Sequence, residues 1–172
     1  PHLDPRLRGQ TAHAALERIA QEGGAAVHIG LDVALAAGAV AVAWPDAARF
    51  AAIVHEEATR AAADAGIRNA GFVRVLARWT EAALSVARDT DWRAGTVAVV
   101  GAELPWHAEI EDARGHPRRI GFRVDRADFD GATLRLTDYK TGRIPSTAAT
   151  GDKRAEHFVA RRCRPVPQGL AR

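Results

Sequence analysis

The sequence predicts an α/β domain with helices in its first half and a hairpin-built sheet in its second. Apolar residues recur at helical spacing in three stretches between Gln10 and Arg88, and from Thr96 onward β-branched and alternating runs replace them. The last two runs, 120–129 and 132–140, flank Asp130-Gly131. An Asp-Gly pair between alternating runs signals a hairpin, because both turn residues must tolerate positive φ. At 172 residues the chain is long enough for one domain with a substantial core. It contains no methionine, so it is read as a single domain over 1–172 that is an incomplete piece of a longer chain.

Taken in order, Pro1 to Arg8 is expected as an entry loop, followed by a helix from Gln10 to about Glu22 with Ala12, Ala15, Leu16 and Ile19 on its apolar side. His13 lies beside that stripe, where a histidine is more often a structural residue than a ligand. Gly23-Gly24 ends the helix. The uncharged run Val33 to Trp44 is too short to span a bilayer and reads as a buried segment. Pro45 fits the first turn of the next helix, whose stripe is Phe50, Ile53, Val54, Ala58 and Ala61, up to Gly66. A third helix spans about Ala70 to Arg88, with Phe72, Val75, Leu76, Trp79, Ala83 and Val86 on one face. The block from about 30 to 88 thus reads as a helical insertion between the first helix and the sheet. Thr96–Leu104 is a β-branched strand ending in a turn at Pro105, with Glu103 at its end. His107–Glu111 can pair with the following strand across Ala113–Pro117, and a short helix is expected from about Asp152 to Arg162.

If Asp130-Gly131 is the whole loop, Phe129 faces Ala132, Arg123 faces Asp138, Asp125 faces Leu136 and Lys140 faces Gly121. Side chains alternate along a strand, so Asp125, Asp138 and Lys140 share one face. The two carboxylates then lie roughly 7–8 Å apart at the backbone, close enough to reach one cation. A solvated hairpin with ordinary surface charges is the plainer reading, and two features weigh against it. Only Lys140 and Lys153 of the 24 basic residues are lysine, so a lysine in Asp-Tyr-Lys points to a compact ammonium with an adjustable pKa rather than a planar fork. Asp138 also continues the face that Leu134 and Leu136 define as inward, where a carboxylate needs a partner, a proton or a metal.

Gly121-Phe-Arg-Val-Asp125-Arg126, then Asp138-Tyr-Lys140-Thr-Gly142, together with the upstream Gly9-Gln-Thr-Ala-His13-Ala-Ala-Leu16-Glu17, resembles the motif set of RecB/AddB-type nucleases of the PD-(D/E)XK superfamily. The resemblance implies a restriction-endonuclease-like mixed sheet flanked by helices. It implies a metal-dependent DNA nuclease, an exonuclease more than an endonuclease, in a helicase–nuclease that repairs double-strand breaks. Its substrate would be single-stranded or end-containing DNA, and its partners helicase domains or subunits. The ligands implied for Mg²⁺ or Mn²⁺ are His13, Asp125, Asp138 and the main-chain carbonyl of Tyr139, with Asp125, Asp138 and Lys140 catalytic. Two carboxylates and an imidazole suit a hard cation with open water positions better than zinc. Glu103 is either a supporting group behind the ligands or an ordinary strand-end charge. Arg126 and Arg143 are candidate phosphate contacts, although arginine is so abundant here that surface solvation fits equally.

The net charge of +3 and a sequence pI of about 9.7 are compatible with a polyanionic partner. A lone cysteine, Cys163, excludes an internal disulfide and any iron–sulfur cluster or closed zinc site made by this chain alone. No secretory pattern opens the chain, which points to a cytoplasmic protein with no membrane segment. The Gln-x-x-x-Tyr helix with which the family grips nucleic acid is missing, since Tyr139 is the only tyrosine and Gln168 lies in a Pro-rich tail. That departure keeps a second class open: a non-catalytic nucleic-acid-binding or scaffolding domain that retains the fold.

Overall fold

The computed structural model describes residues 3–139. The elements are α1 (Pro5–Glu22), β1 (Ala26–Val27), α2 (Leu31–Ala37), β2 (Val40–Ala43), α3 (Ala47–Asp64), α4 (Ala70–Asp91), β3 (Thr96–Glu111), β4 (Pro117–Phe129) and β5 (Leu134–Thr137). They form a mixed α/β domain whose five-stranded sheet runs β1-β3-β4-β5, with β2 also paired to β3. β1 is parallel to β3, and the other pairs are antiparallel. This is the restriction-endonuclease-like arrangement that the motifs imply. Among the described residues, no helix is long and apolar enough to cross a membrane.

The expected entry loop is largely helix. Asp4 caps α1 by accepting from the Arg6 amide at 2.8 Å, and Pro5 fills the first turn, where its missing N–H costs nothing. Gly23 then ends the helix as read from sequence. Pro45 precedes α3 instead of occupying its first turn, and Asp46 caps the helix by accepting from the Arg49 amide at 2.8 Å. Between residues 30 and 88 the regular elements are helices except for β2, and the segment 33–44 is not buried as a whole. Val33 is 57 % exposed, and in β2 only Val42 is fully buried. α4 buries a different stripe from the one its large residues suggest: Val73, Leu76, Ala77, Thr80, Leu84 and Ala87 face inward, whereas Val75 and Val86 are exposed. Small residues at Ala77, Thr80 and Ala87 allow close approach, and the Thr80 hydroxyl is satisfied by the Leu76 carbonyl at 3.0 Å. Helices α1, α3 and α4 form the main core with Val42, Val99 and Ala102 of the sheet. A second cluster joins Leu31 and Ala34 of α2 to Val100, Leu104, Val124 and Ala127.

The turn expected at Pro105 is absent. β3 continues to Glu111, and Pro105 pairs with Arg123 inside the ribbon. Proline is tolerated there because β1 and β2 pair with β3 only as far as Ala102, so that edge carries no further ladder among the described residues. Glu103 consequently sits in mid-strand. The predicted β3–β4 pairing holds, and Asp112 shapes its turn by accepting from the amides of Arg114 and His116.

The β4–β5 hairpin differs in register from a two-residue Asp-Gly loop. Phe129 pairs with Leu134 and Arg126 with Thr137, so the loop holds four residues, 130–133. The Asp130 carboxylate accepts from the amides of Ala132 (3.0 Å) and Thr133 (2.8 Å), and Gly131 takes φ +94°. Those side-chain bonds satisfy amides that a tighter turn would have put into the ladder. The slip is two residues, an even number, so every side chain keeps its face.

Candidate metal centre

Three elements bring side chains together: α1 supplies His13, β3 supplies Glu103 and β4 supplies Asp125. One ligand-type atom from each lies within 4.8 Å of the others. His13 Nδ1 is 3.7 Å from Glu103 Oε1 and 3.6 Å from Asp125 Oδ1. Its other nitrogen, Nε2, lies 2.8 Å from the Tyr139 carbonyl. A carbonyl can only accept, so Nε2 carries the proton, and in the neutral ring Nδ1 is the lone pair. That lone pair faces two carboxylates, an arrangement that requires a proton or a cation between them.

The local backbone explains why Glu103 reaches His13. Glu103 has φ +52°, a left-handed conformation uncommon outside glycine. Just before it the ladder slips between Val99 and Gly101. At Gly101 a Cβ would meet the Ala26 carbonyl oxygen at 2.5 Å, so only glycine lets β1 approach this closely. His28 (φ +58°) also has positive φ, and its Nε2 meets Glu17 Oε1 at 2.7 Å. His13, Glu17, His28, Glu103 and Arg123 line a cleft of about 370 Å³ that opens onto the site. Gly9 lines it too, one helical turn before His13. A larger cleft of about 750 Å³ lies between α1 and α3 and contains neither site carboxylate.

The electrostatics agree with this geometry. Contact with Glu103 is the main reason the His13 pKa is raised above 6.5, with the Asp125 charge and the Tyr139 carbonyl adding to it against burial. Glu103 is lowered, chiefly by His13. Asp125 is raised, first by burial and further by the charges of Asp138 and Glu103, against the opposing pull of His13 and the Tyr139 amide.

The structure brings His13, Asp125 and Tyr139 together, and Asp138 is close enough to act on Asp125. The Tyr139 carbonyl, expected as a ligand, is engaged by His13. Glu103, open between two readings from sequence, joins the central cluster. Arg126, named from sequence as a candidate phosphate contact, is 3 % exposed, with its guanidinium committed to Asp91, Asp128 and Tyr139. Arg123 is the arginine that lines the cleft, 3.6 Å from Glu103 and largely exposed. Lys140 and Arg143 lie outside the described residues, as do the predicted Lys140–Gly121 pair and the helix at 152–162. Sequence reasoning missed His28 and Asp91, for which spacing offers no signal. It also missed Asp128, whose two-residue offset from Arg126 on one strand face was available.

Residues 1–158 match the family model described as the PD-(D/E)XK nuclease superfamily. No curated protein and no solved structure matches the chain.

Proposed function

The chain belongs to the PD-(D/E)XK nuclease superfamily, and from that premise we propose that it is a divalent-metal-dependent deoxyribonuclease, the exonuclease module of a helicase–nuclease that processes double-strand breaks. Superfamily membership implies metal-dependent nuclease activity; the narrower role is supported by the RecB/AddB-like motifs. The observation that carries the reading is His13 Nδ1 facing the carboxylates of Glu103 and Asp125 while Nε2 is tied to the Tyr139 carbonyl.

One imidazole nitrogen and two carboxylates, with Asp138 beside them, fit a hard divalent cation such as Mg²⁺ or Mn²⁺. Such an ion, when bound, polarises a phosphodiester and lowers the pKa of its water. His13 contributes Nδ1 because the Tyr139 carbonyl holds the opposite nitrogen, and Glu103 and Asp125 contribute oxygens. Arg123, exposed at the cleft wall, is placed to meet a phosphate, the role that burial denies Arg126. Lys140 remains the proposed group for orienting the attacking water.

The test is Mn²⁺ calorimetry alongside single-turnover cleavage of linear and covalently closed DNA. Wild type should bind Mn²⁺, and Asp125→Asn and Glu103→Gln should each weaken binding by about 10-fold or more. Lys140→Arg should retain Mn²⁺ affinity but cut linear DNA about 10²-fold more slowly. Affinity should also fall with pH. The proton and the metal compete for the same space, so binding is strongest above the raised His13 pKa and weakens as pH drops through it. Absence of Mn²⁺ binding in wild type, or equal binding in both carboxylate variants, would overturn the assignment. Cleavage of closed circles as fast as linear DNA would remove the exonuclease part.

A further inference from the structure

We propose that Tyr139 is a positioning residue whose ring is locked by Arg126, Asp91 and Asp128, so that its peptide group holds His13 and Asp125 in ligating geometry. This rests on the reading of those two side chains as metal ligands.

The Tyr139 amide donates to Asp125 Oδ2 at 2.5 Å, and the Tyr139 carbonyl accepts from His13 Nε2 at 2.8 Å. One residue thus touches two of the three converging side chains through its main chain. Among the described residues the β4–β5 ladder ends at the Arg126–Thr137 pair, two residues earlier, and these two bonds tie the Tyr139 peptide to the site. Its side chain supplies an anchor. Tyr139 is 2 % exposed, and its hydroxyl accepts from Arg126 Nη1 and donates to Asp91 Oδ2 at 3.3 Å. Arg126 is itself immobilised. Its Nε and Nη2 each meet one Asp128 oxygen at 2.8 Å, and Nη2 also meets Asp91 Oδ2 at 2.8 Å. The guanidinium lies over the Trp92 ring at 4.5 Å, and Trp92 Nε1 donates to the Val42 carbonyl at 3.0 Å. The anchor therefore reaches through α4 to β2, and its rigidity is transmitted to two functional groups by one peptide. Burial holds the Tyr139 pKa well above 10, so the hydroxyl keeps the proton it gives to Asp91. Partners of this kind behind metal ligands fix orientation, and losing one costs 10–100-fold in metal affinity.

Tyr139→Phe removes only the hydroxyl bonds, leaving ring and peptide. Two readouts apply to the full chain: Mn²⁺ affinity, and ¹H–¹⁵N correlation of the His13 imidazole above its pKa without metal. Wild type should show a single tautomer protonated at Nε2. Tyr139→Phe should show mixed tautomers and about 10-fold weaker Mn²⁺ binding. Leu84→Ala, a core truncation that removes none of the anchor's hydrogen bonds, should lower the melting temperature but move neither readout. If Tyr139→Phe fails to fold, Asp91→Asn carries the same comparison. A single unchanged tautomer with wild-type Mn²⁺ affinity in the anchor variant would overturn the proposal, as would equal losses in Leu84→Ala. Should wild type bind no Mn²⁺, the metal-centre reading fails and the tautomer result alone decides positioning: mixed in the variant supports it, unchanged sinks it.

Discussion

In the β3–β4 ribbon Arg123 and Arg126 lie three residues apart on one strand and Gly101 and Gly121 lie on facing strands, and its halves use them in opposite ways. In the inner half, Arg126 is enclosed between Asp91 and Asp128 and Gly101 lies against the β1 backbone. In the outer half, Arg123 keeps most of its surface in water with an ion pair at 3.6 Å, and among the described residues a Cβ at Gly121 would meet only His107. Chemically identical residues thus serve as frame in one half and as accessible surface in the other. Composition and motif position do not separate these roles; depth in the sheet does.

The comparison is most strongly challenged by Arg126→Ala. Removing the cation leaves the buried Asp128 and the half-buried Asp91 carboxylates without it, which should cost about 3–5 kcal/mol in a denaturation experiment. A loss below about 1 kcal/mol, the range of exposed pairs, would show that Arg126 is not the enclosed brace described. Gly101→Ala should come next, at about 1–3 kcal/mol, because its Cβ would sit 2.5 Å from the Ala26 oxygen and β1 must shift. Unchanged urea stability would mean that β1 does not pack against the strand this tightly.

Arg123→Ala should alter stability by less than about 1 kcal/mol, yet weaken DNA binding with a shallower salt dependence, since a phosphate contact is lost. An unchanged salt slope would return Arg123 to ordinary surface. The smallest effect is expected for Gly121→Ala. The new Cβ would make ordinary contact with His107 at 3.4 Å, so the melting temperature should hold or rise slightly, with up to about 1 kcal/mol gained from the unfolded chain. A clear drop in melting temperature would show that the outer half is packed as tightly as the inner.

Much of the fold was legible because periodicity is a local property. The stripe of α1 and most of the stripe of α3 follow from residue spacing alone. The large residues of α4 point to a stripe one position off the buried one, because small residues decide where helices can meet. Pro105 was read as a turn because proline's restriction is local, whereas its tolerance depends on a neighbouring strand having stopped.

The sequence by itself determined which residues are candidates for the chemistry and which strand face Asp125 and Asp138 take. His13, Asp125, Asp138 and Lys140 stand out by type and order, and an even slip in the hairpin could not move Asp125 or Asp138 to the other side. Tertiary structure decided the rest: that Glu103 joins His13, that Arg126 is frame and Arg123 is surface, and that Tyr139 acts through its main chain. Each depends on distances between segments remote in sequence, such as the 2.8 Å between His13 and Tyr139. Such distances arise only when burial and backbone approach have closed the sheet against α1 and α4, which no local pattern encodes.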